Sequence, residues 1–257
     1  MKLSRLCCLL ACLAASTTGL ASNRIEVLGA LLAPGKKEVP EDLRLGQLLG
    51  QLRVDPLGYW LGASWQRQGL KAEQTRLKAG ILFDLIQLER LAKLQDTPSL
   101  ANAAQQLKTQ VSALPITGRQ VYHLDPLVVE LNAAHSPKLE DGDRLIFPQR
   151  PASVRITGAV ASDCTLPFVP LQQADRYAKQ CPALADADPD YLYVIQPDGQ
   201  VTRLGIALWN REDGAPPAPG AVLLVPLDAH EVKTIAPELN QELAEFLATQ
   251  SLPAEAP

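Results

Sequence analysis

Three histidines, His123, His135 and His230, stand scattered in a chain of 257 residues. No two of them have the spacing that holds a metal ion. Asp186, Asp188 and Asp190 alternate as at the opening of a calcium loop. Tyr191 then occupies the place of the required glycine and Pro197 that of the closing glutamate, so the run reads as a polar turn before a strand. The carboxylates of Leu139-Glu-Asp-Gly-Asp143 would serve as the paired acids of a glycosidase only if a partner approached them in space. As turn residues they need none. The sequence holds no Gly-x-Ser-x-Gly elbow, no Walker loop and no dinucleotide fingerprint.

Arg119 is different in kind. It follows Gly118 where a helical excursion ends at Pro115 and the chain re-enters a β-rich unit. A guanidinium there would bind the carboxylate of an acidic sugar or of a partner protein, or form an internal salt bridge that pins the excursion to a sheet. Trp60 and Trp65 flank the excursion's other root, placed to stack on sugar rings or to fill core. Arg119 and Trp60 are thus the candidate binding residues. No catalytic residue, metal ligand or cofactor is expected.

Met1–Ala21 reads as an export signal. Lys2 and Arg5 give a positive start, Leu6–Ala15 is an apolar run too short to span a bilayer, and Gly19-Leu-Ala21 offers the small residues a signal peptidase inspects. Ser22 would begin the mature chain. A competing lipoprotein reading cleaves before Cys12 in Leu9-Leu-Ala-Cys12, which leaves an apolar core of about six residues against the usual 7–15. Of five cysteines, Cys7, Cys8 and Cys12 leave with the signal. Cys164 and Cys181 remain, and an even pair in an exported chain reads as a disulfide. The formal charge of −4 becomes more negative once Lys2 and Arg5 are lost. That argues against nucleic acid or anionic lipid as the main partner.

The elements that must position these residues come in two similar sets. Arg24-Ile-Glu-Val-Leu-Gly29-Ala30 resembles Val154-Arg-Ile-Thr-Gly158-Ala-Val160, each an alternating strand ending at glycine. Asp141-Gly-Asp-Arg-Leu-Ile-Phe-Pro148 resembles Pro219-Gly-Ala-Val-Leu-Leu-Val-Pro226, each a turn feeding a short apolar strand that proline ends. Each set has one helix, over Leu43–Leu52 and, after Pro170, over Leu171–Lys179. A small α+β unit used twice is the expected architecture.

The two sets differ in the middle. Tyr191–Ile195 and Gln200–Leu204 form a hairpin across Gln196-Pro-Asp-Gly199. Their counterparts, Tyr59–Trp65 and Gln120–Leu124, are separated by a helical hairpin at about 66–114. Leu70, Leu77, Ile81, Leu85, Leu88 and Ala92 form its first stripe. Thr97-Pro98 is the expected N-cap and first turn of its second helix, with Leu100, Ala104, Leu107 and Val111 inward. The expected division is 22–150 for the first unit with its insert, 151–230 for the second, and 231–257 for a C-terminal amphipathic helix and tail. That helix carries Leu239, Leu243, Phe246 and Leu247 on one face, either packed on its own domain or free to seat in a partner or membrane interface. Pro253–Pro257 reads as a disordered tail.

Ile116-Thr-Gly-Arg119 with Leu124-Asp-Pro126, then Ile206-Ala-Leu-Trp-Asn210 followed by Pro216-Pro-Ala-Pro-Gly220, resemble the GfcC-type family of periplasmic capsule and exopolysaccharide biosynthesis proteins. Gly158-Ala-Val160 with Leu166-Pro-Phe168 adds to the resemblance, which covers the whole mature chain. It implies two tandem β-grasp domains, an insert in the first, and Arg119 as the family's cavity arginine. It implies further a non-enzymatic periplasmic accessory protein for polysaccharide secretion or assembly, which binds either acidic glycan or the export machinery. The alternative is a structural adaptor docked on the outer-membrane export channel without binding glycan.

Overall fold

The computed structural model describes residues 22–131 and 136–254. The proposed signal Met1–Ala21 with Cys12, the histidine at 135, and tail residues 255–257 lie outside the described residues.

Strand β1 (Ser22–Gly29) alternates outward and inward, sending Ile25 and Val27 into a core, and pairs antiparallel with β2 (Gly35–Pro40). Helix α1 (Leu45–Gln51) follows and buries Leu45, Leu48 and Leu49 at helical spacing. β3 (Ser64–Gln66), β4 (Arg119–Gln120) and β5 (Arg144–Phe147) complete a five-stranded sheet ordered β2-β1-β5-β3-β4, with β1 and β5 parallel. The long helices α2 (Lys71–Leu94) and α3 (Pro98–Ala113) stand between β3 and β4, and α4 (Pro126–Leu131) follows β4.

The second half repeats the plan. β6 (Ser153–Gly158), β7 (Cys164–Pro167), helix α5 (Ala174–Ala178), β8 (Tyr191–Ile195), β9 (Val201–Gly205) and β10 (Val222–Val225) form a sheet ordered β7-β6-β10-β8-β9. Counted in order of appearance, the strands of both sheets take the same places, and the central pair is parallel in each. The match reaches single residues. Gly29 and Gly158 both end their strand at positive φ, 93° and 107°. A Cβ would stand 2.0 Å from the Phe147 carbonyl oxygen in one and 2.2 Å from that of Val225 in the other. Only glycine fits. The repeated strand-Gly-Ala signal is therefore a shared backbone approach. The fold is α+β, as the sequence indicates.

Two expected strands are shorter than the sequence suggests. Over Tyr59–Trp65 the chain makes a 3-10 turn at Trp60–Gly62 before β3 begins. Over Gln120–Leu124 pairing stops after Gln120, because β3 offers a partner only to Arg119 and Gln120. His123 turns instead to the second hairpin, with Nε2 2.7 Å from Gln200 Nε2 and Nδ1 3.6 Å from Asp198.

The insert grows out of the first sheet but packs on the second. Ile81, Leu85 and Leu88 of α2 and Leu100, Ala104 and Leu107 of α3 share one buried cluster with Val154, Ile156, Leu192 and Leu223 of the second sheet. The first sheet keeps a separate core around Trp65, Leu145 and Phe147. Polar ties follow the same path, since Gln106 Nε2 donates to the Val160 carbonyl at 2.8 Å and Ser99 Oγ to Asp186. α3 starts at Pro98 with Thr97 in the cap position, yet the Thr97 hydroxyl does not cap α3. It donates to the Ala92 carbonyl in the last turn of α2.

After α6 (Ala229–Val232), helix α7 (Leu239–Ala248) lies between α2 and strands β8 and β9. Its apolar face, Leu239, Leu243, Phe246 and Leu247, is buried in the cluster that the second sheet and the insert share. The face considered for a partner or a membrane is thus covered within the molecule. Hydrophobic burial of this size explains why it stays down. Among the described residues no helix is long and apolar enough to cross a membrane.

Candidate functional site

Arg119 stands where four segments of chain meet. Gly118 before it holds φ 74°, and a Cβ there would lie 2.3 Å from the Arg67 carbonyl oxygen, so the returning strand can come this close only without a side chain. Gln74 of α2 clamps the return on both sides. Its Nε2 donates to the Arg119 carbonyl and its Oε1 accepts from the Gly118 N–H, each at 2.8 Å. Thr117 Oγ1 donates to the Thr249 carbonyl at 2.7 Å and accepts from the Arg119 N–H at 3.0 Å.

Arg119 as a whole is 4% exposed. Nη1 donates to the carbonyls of Ala248 (3.1 Å) and Gln250 (2.9 Å), and Nη2 donates to the Pro197 carbonyl. Ala248 ends α7, so its carbonyl is one that a helix leaves unpaired at its C-terminus, where a cation also meets the negative end of the helix dipole, and Gln250 lies just past the C-cap Thr249. The third belongs to the turn between β8 and β9. One side chain thus joins the first sheet, the end of α7 and the second hairpin. Burial pulls the Arg119 pKa down to about 10 and the charge of Asp198 pushes back, so it stays protonated at neutral pH. Its Nε is buried without a hydrogen-bond partner. The internal contact is therefore not the salt bridge considered from sequence but a set of hydrogen bonds to carbonyls.

Beside this junction a cavity of about 290 Å³ opens between Arg119, β6, β7 and the chain after α7. Its polar lining is Ser153, Arg155, Thr165, Gln196, Gln250 and Ser251.

Two profiles of known families match the chain. "Capsule biosynthesis GfcC, N-terminal" covers residues 32–149 and "Capsule biosynthesis GfcC C-terminal" covers 162–253. The chain belongs to the GfcC capsule biosynthesis family. It is also 30% identical over 196 residues to "Uncharacterized protein YjbG" of Escherichia coli K12, across 75% of this chain and 79% of that protein. The first GfcC match spans most of the first sheet with the insert, and the second spans β7–β10 with α7.

The other sequence candidates fall elsewhere in this GfcC chain. Trp60 is half-buried, edge-on to Phe147 at 5.1 Å, and packs on the first core. Trp65 is wholly buried, its Nε1 donating to Asp143 at 2.9 Å. Neither tryptophan lines the cavity beside Arg119. Asp143 is no free acid: it also accepts from the Glu140 N–H, and Arg67 lies 3.7 Å away. Burial pushes its carboxyl up against those hydrogen bonds. Cys164 and Cys181 form a disulfide that links β7 to the segment after α5. Among the described residues no group of three or more His, Cys, Asp or Glu could hold a metal ion. Gln74 and Arg155 escaped the sequence reading. Gln74 had a signal, because a glutamine four residues after Leu70 and three before Leu77 sits on the apolar stripe of α2. Nothing local marks Arg155, one of several arginines in alternating strands.

Proposed function

We propose that this protein is a non-enzymatic accessory of capsule or exopolysaccharide secretion or assembly, exported to the periplasm by the signal at its N-terminus. It works by engaging the glycan at the cavity beside Arg119. The observation that carries the reading is the match of both halves of the chain to capsule biosynthesis families. The repeated sheet order, with one helix packed in each unit, fits two tandem β-grasp domains. In this reading Arg119 holds the cavity's shape through the end of α7, and the polar lining meets the sugar.

The test is surface polysaccharide on a deletion strain complemented with wild type or Arg119→Ala at matched protein levels. Loss on deletion that wild type restores, and Arg119→Ala does not, is the expected result. Unchanged surface polymer on deletion would overturn the secretion reading.

A second reading, the adaptor docked on an export channel, is favoured by one observation. Leu208 and Trp209 are 92% and 70% exposed side by side. The loop that carries them is held firmly, with Trp209 Nε1 donating to Asp190 and Asn210 Nδ2 to the Asp190 carbonyl, each at 3.1 Å. Rigid exposed tryptophan is the residue that anchors protein interfaces. Loss of surface polymer with Trp209→Ala but not with Arg119→Ala would select this reading.

A further inference from the structure

Strand alternation puts Ser153, Arg155 and Thr157 of β6 in a row on one face, and the register with β7 sets Thr165 opposite Arg155. The row forms a floor. The 290 Å³ cavity lies over Ser153, Arg155 and Thr165. A second cavity, of about 160 Å³, lies over Arg155 and Thr157, walled by Leu107, Gln110 and Val111 of α3 and by Leu243 and Leu247 of α7. The two cavities share Arg155 and Leu247 as lining residues, so they adjoin as two compartments of a groove along β6, from the insert to the chain after α7. Its walls alternate apolar side chains with amides and hydroxyls, the mix that meets the faces and hydroxyls of sugar rings.

The two arginines of the groove differ. Arg119 directs both terminal nitrogens at carbonyls and has no exposed donor left. The side chain of Arg155 is 37% exposed, and among the described residues its one charged contact is Asp163 at 3.7 Å, too long for a hydrogen bond. Asp163, which also lines the smaller cavity, accepts from Thr157 at 2.8 Å and from Gln110 at 3.1 Å through Oδ1, and its Oδ2 is the atom nearest Arg155. Arg155 thus keeps hydrogen-bond donors uncommitted toward the middle of the groove, with Asp163 on one side as a loose ion partner that an incoming carboxylate would compete with. The buried charge of Arg119 adds to the positive potential at one end.

We propose that this groove binds a segment of acidic polysaccharide, with Arg155 as the residue that takes a carboxylate of the glycan. The inference rests on the glycan-engaging reading above and names the ligand class and the residue that contacts it. The groove's run past two cavities fits a polymer segment over a single sugar.

The test uses the full mature protein and the extracted surface polysaccharide of the producing strain, native or with its carboxyl groups chemically reduced to alcohols. Binding is followed by calorimetry at low and high salt. Native polymer should bind the wild type at least about tenfold more tightly than it binds Arg155→Gln, the loss expected for one exposed charge-assisted contact. Carboxyl-reduced polymer should bind both proteins equally weakly, and Arg155→Lys should fall between. Ser153→Tyr, which fills the larger cavity without altering charge, should also abolish binding while leaving the melting temperature near that of the wild type. Equal binding of native polymer to wild type and Arg155→Gln would overturn the groove, as would equal binding of native and reduced polymer. Absence of any binding to the wild type overturns this inference too. The deletion phenotype, which needs no direct binding, then judges the broader reading separately.

Discussion

Replacing Arg119 with alanine removes three hydrogen bonds at once and leaves the carbonyls of Ala248, Gln250 and Pro197 without their donor. Leaving a buried acceptor without its donor costs about 1–3 kcal/mol apiece, so the three carbonyls together set the scale of the loss. Two features draw the figure toward the lower end. The burial that pulls the arginine pKa down to about 10 is a cost that the variant no longer bears, and the adjoining cavity of about 290 Å³ lets water reach the orphaned carbonyls. A loss of about 3 kcal/mol corresponds to roughly 6–12 °C in melting temperature for a chain of this size. The loss should be local before it is global. Amides of α7 should lose hydrogen-exchange protection more than those of β1 and β5, because only α7 and the β8–β9 turn hang on the guanidinium. Arg119→Lys keeps the charge but cannot span three acceptors with one ammonium, and should recover less than half of the loss. A melting temperature within about 2 °C of wild type, with α7 protection unchanged, would refute the junction as a structural clasp.

Three further outcomes follow from other parts of the molecule. Burial, with Asp84 of α2 and then Glu245 and Glu238 nearby, pushes the Glu242 carboxyl up. The penalty is present above its raised pKa and fades as pH falls through it, so Glu242→Gln should melt higher than wild type at pH 7, and the difference should vanish as pH falls toward the ordinary carboxylate range. Replacing both Cys164 and Cys181 by serine frees a loop with a sequence separation of 17 and should cost about 3 kcal/mol, read as a fall in urea midpoint without a change of fold by circular dichroism. Gly158→Ala drives a Cβ to 2.2 Å from the Val225 carbonyl oxygen at positive φ and must pry β6 from β10. A cost of about 3 kcal/mol or more is expected. A purified variant with the wild-type melting temperature would contradict the close approach.

The sequence alone carried the local and the repeated. Strand alternation, the glycines at Gly29 and Gly158, the stripe from Leu77 to Ala92 and the Cys164–Cys181 pair are all written in spacing and residue type, and the structure realises each. Those signals are local because one strand or one helix turn is enough to impose them. Where elements end was less legible. Gln120–Leu124 has a strand's alternation, yet pairing ends at Gln120 because strand formation needs a neighbour and β3 is three residues long. Which sheet the insert covers was not written in its stripe at all. An apolar face states that it must be buried and not against what, and only the assembled chain placed α2 and α3 on the second sheet. The same limit applied to α7, whose amphipathic face suits a membrane, a partner or its own domain, until packing against α2 settled it. Arg119 was visible as an unusual residue at a root between elements. Its three acceptors lie 78 to 131 residues away in sequence, so what it does was decided only by the tertiary structure.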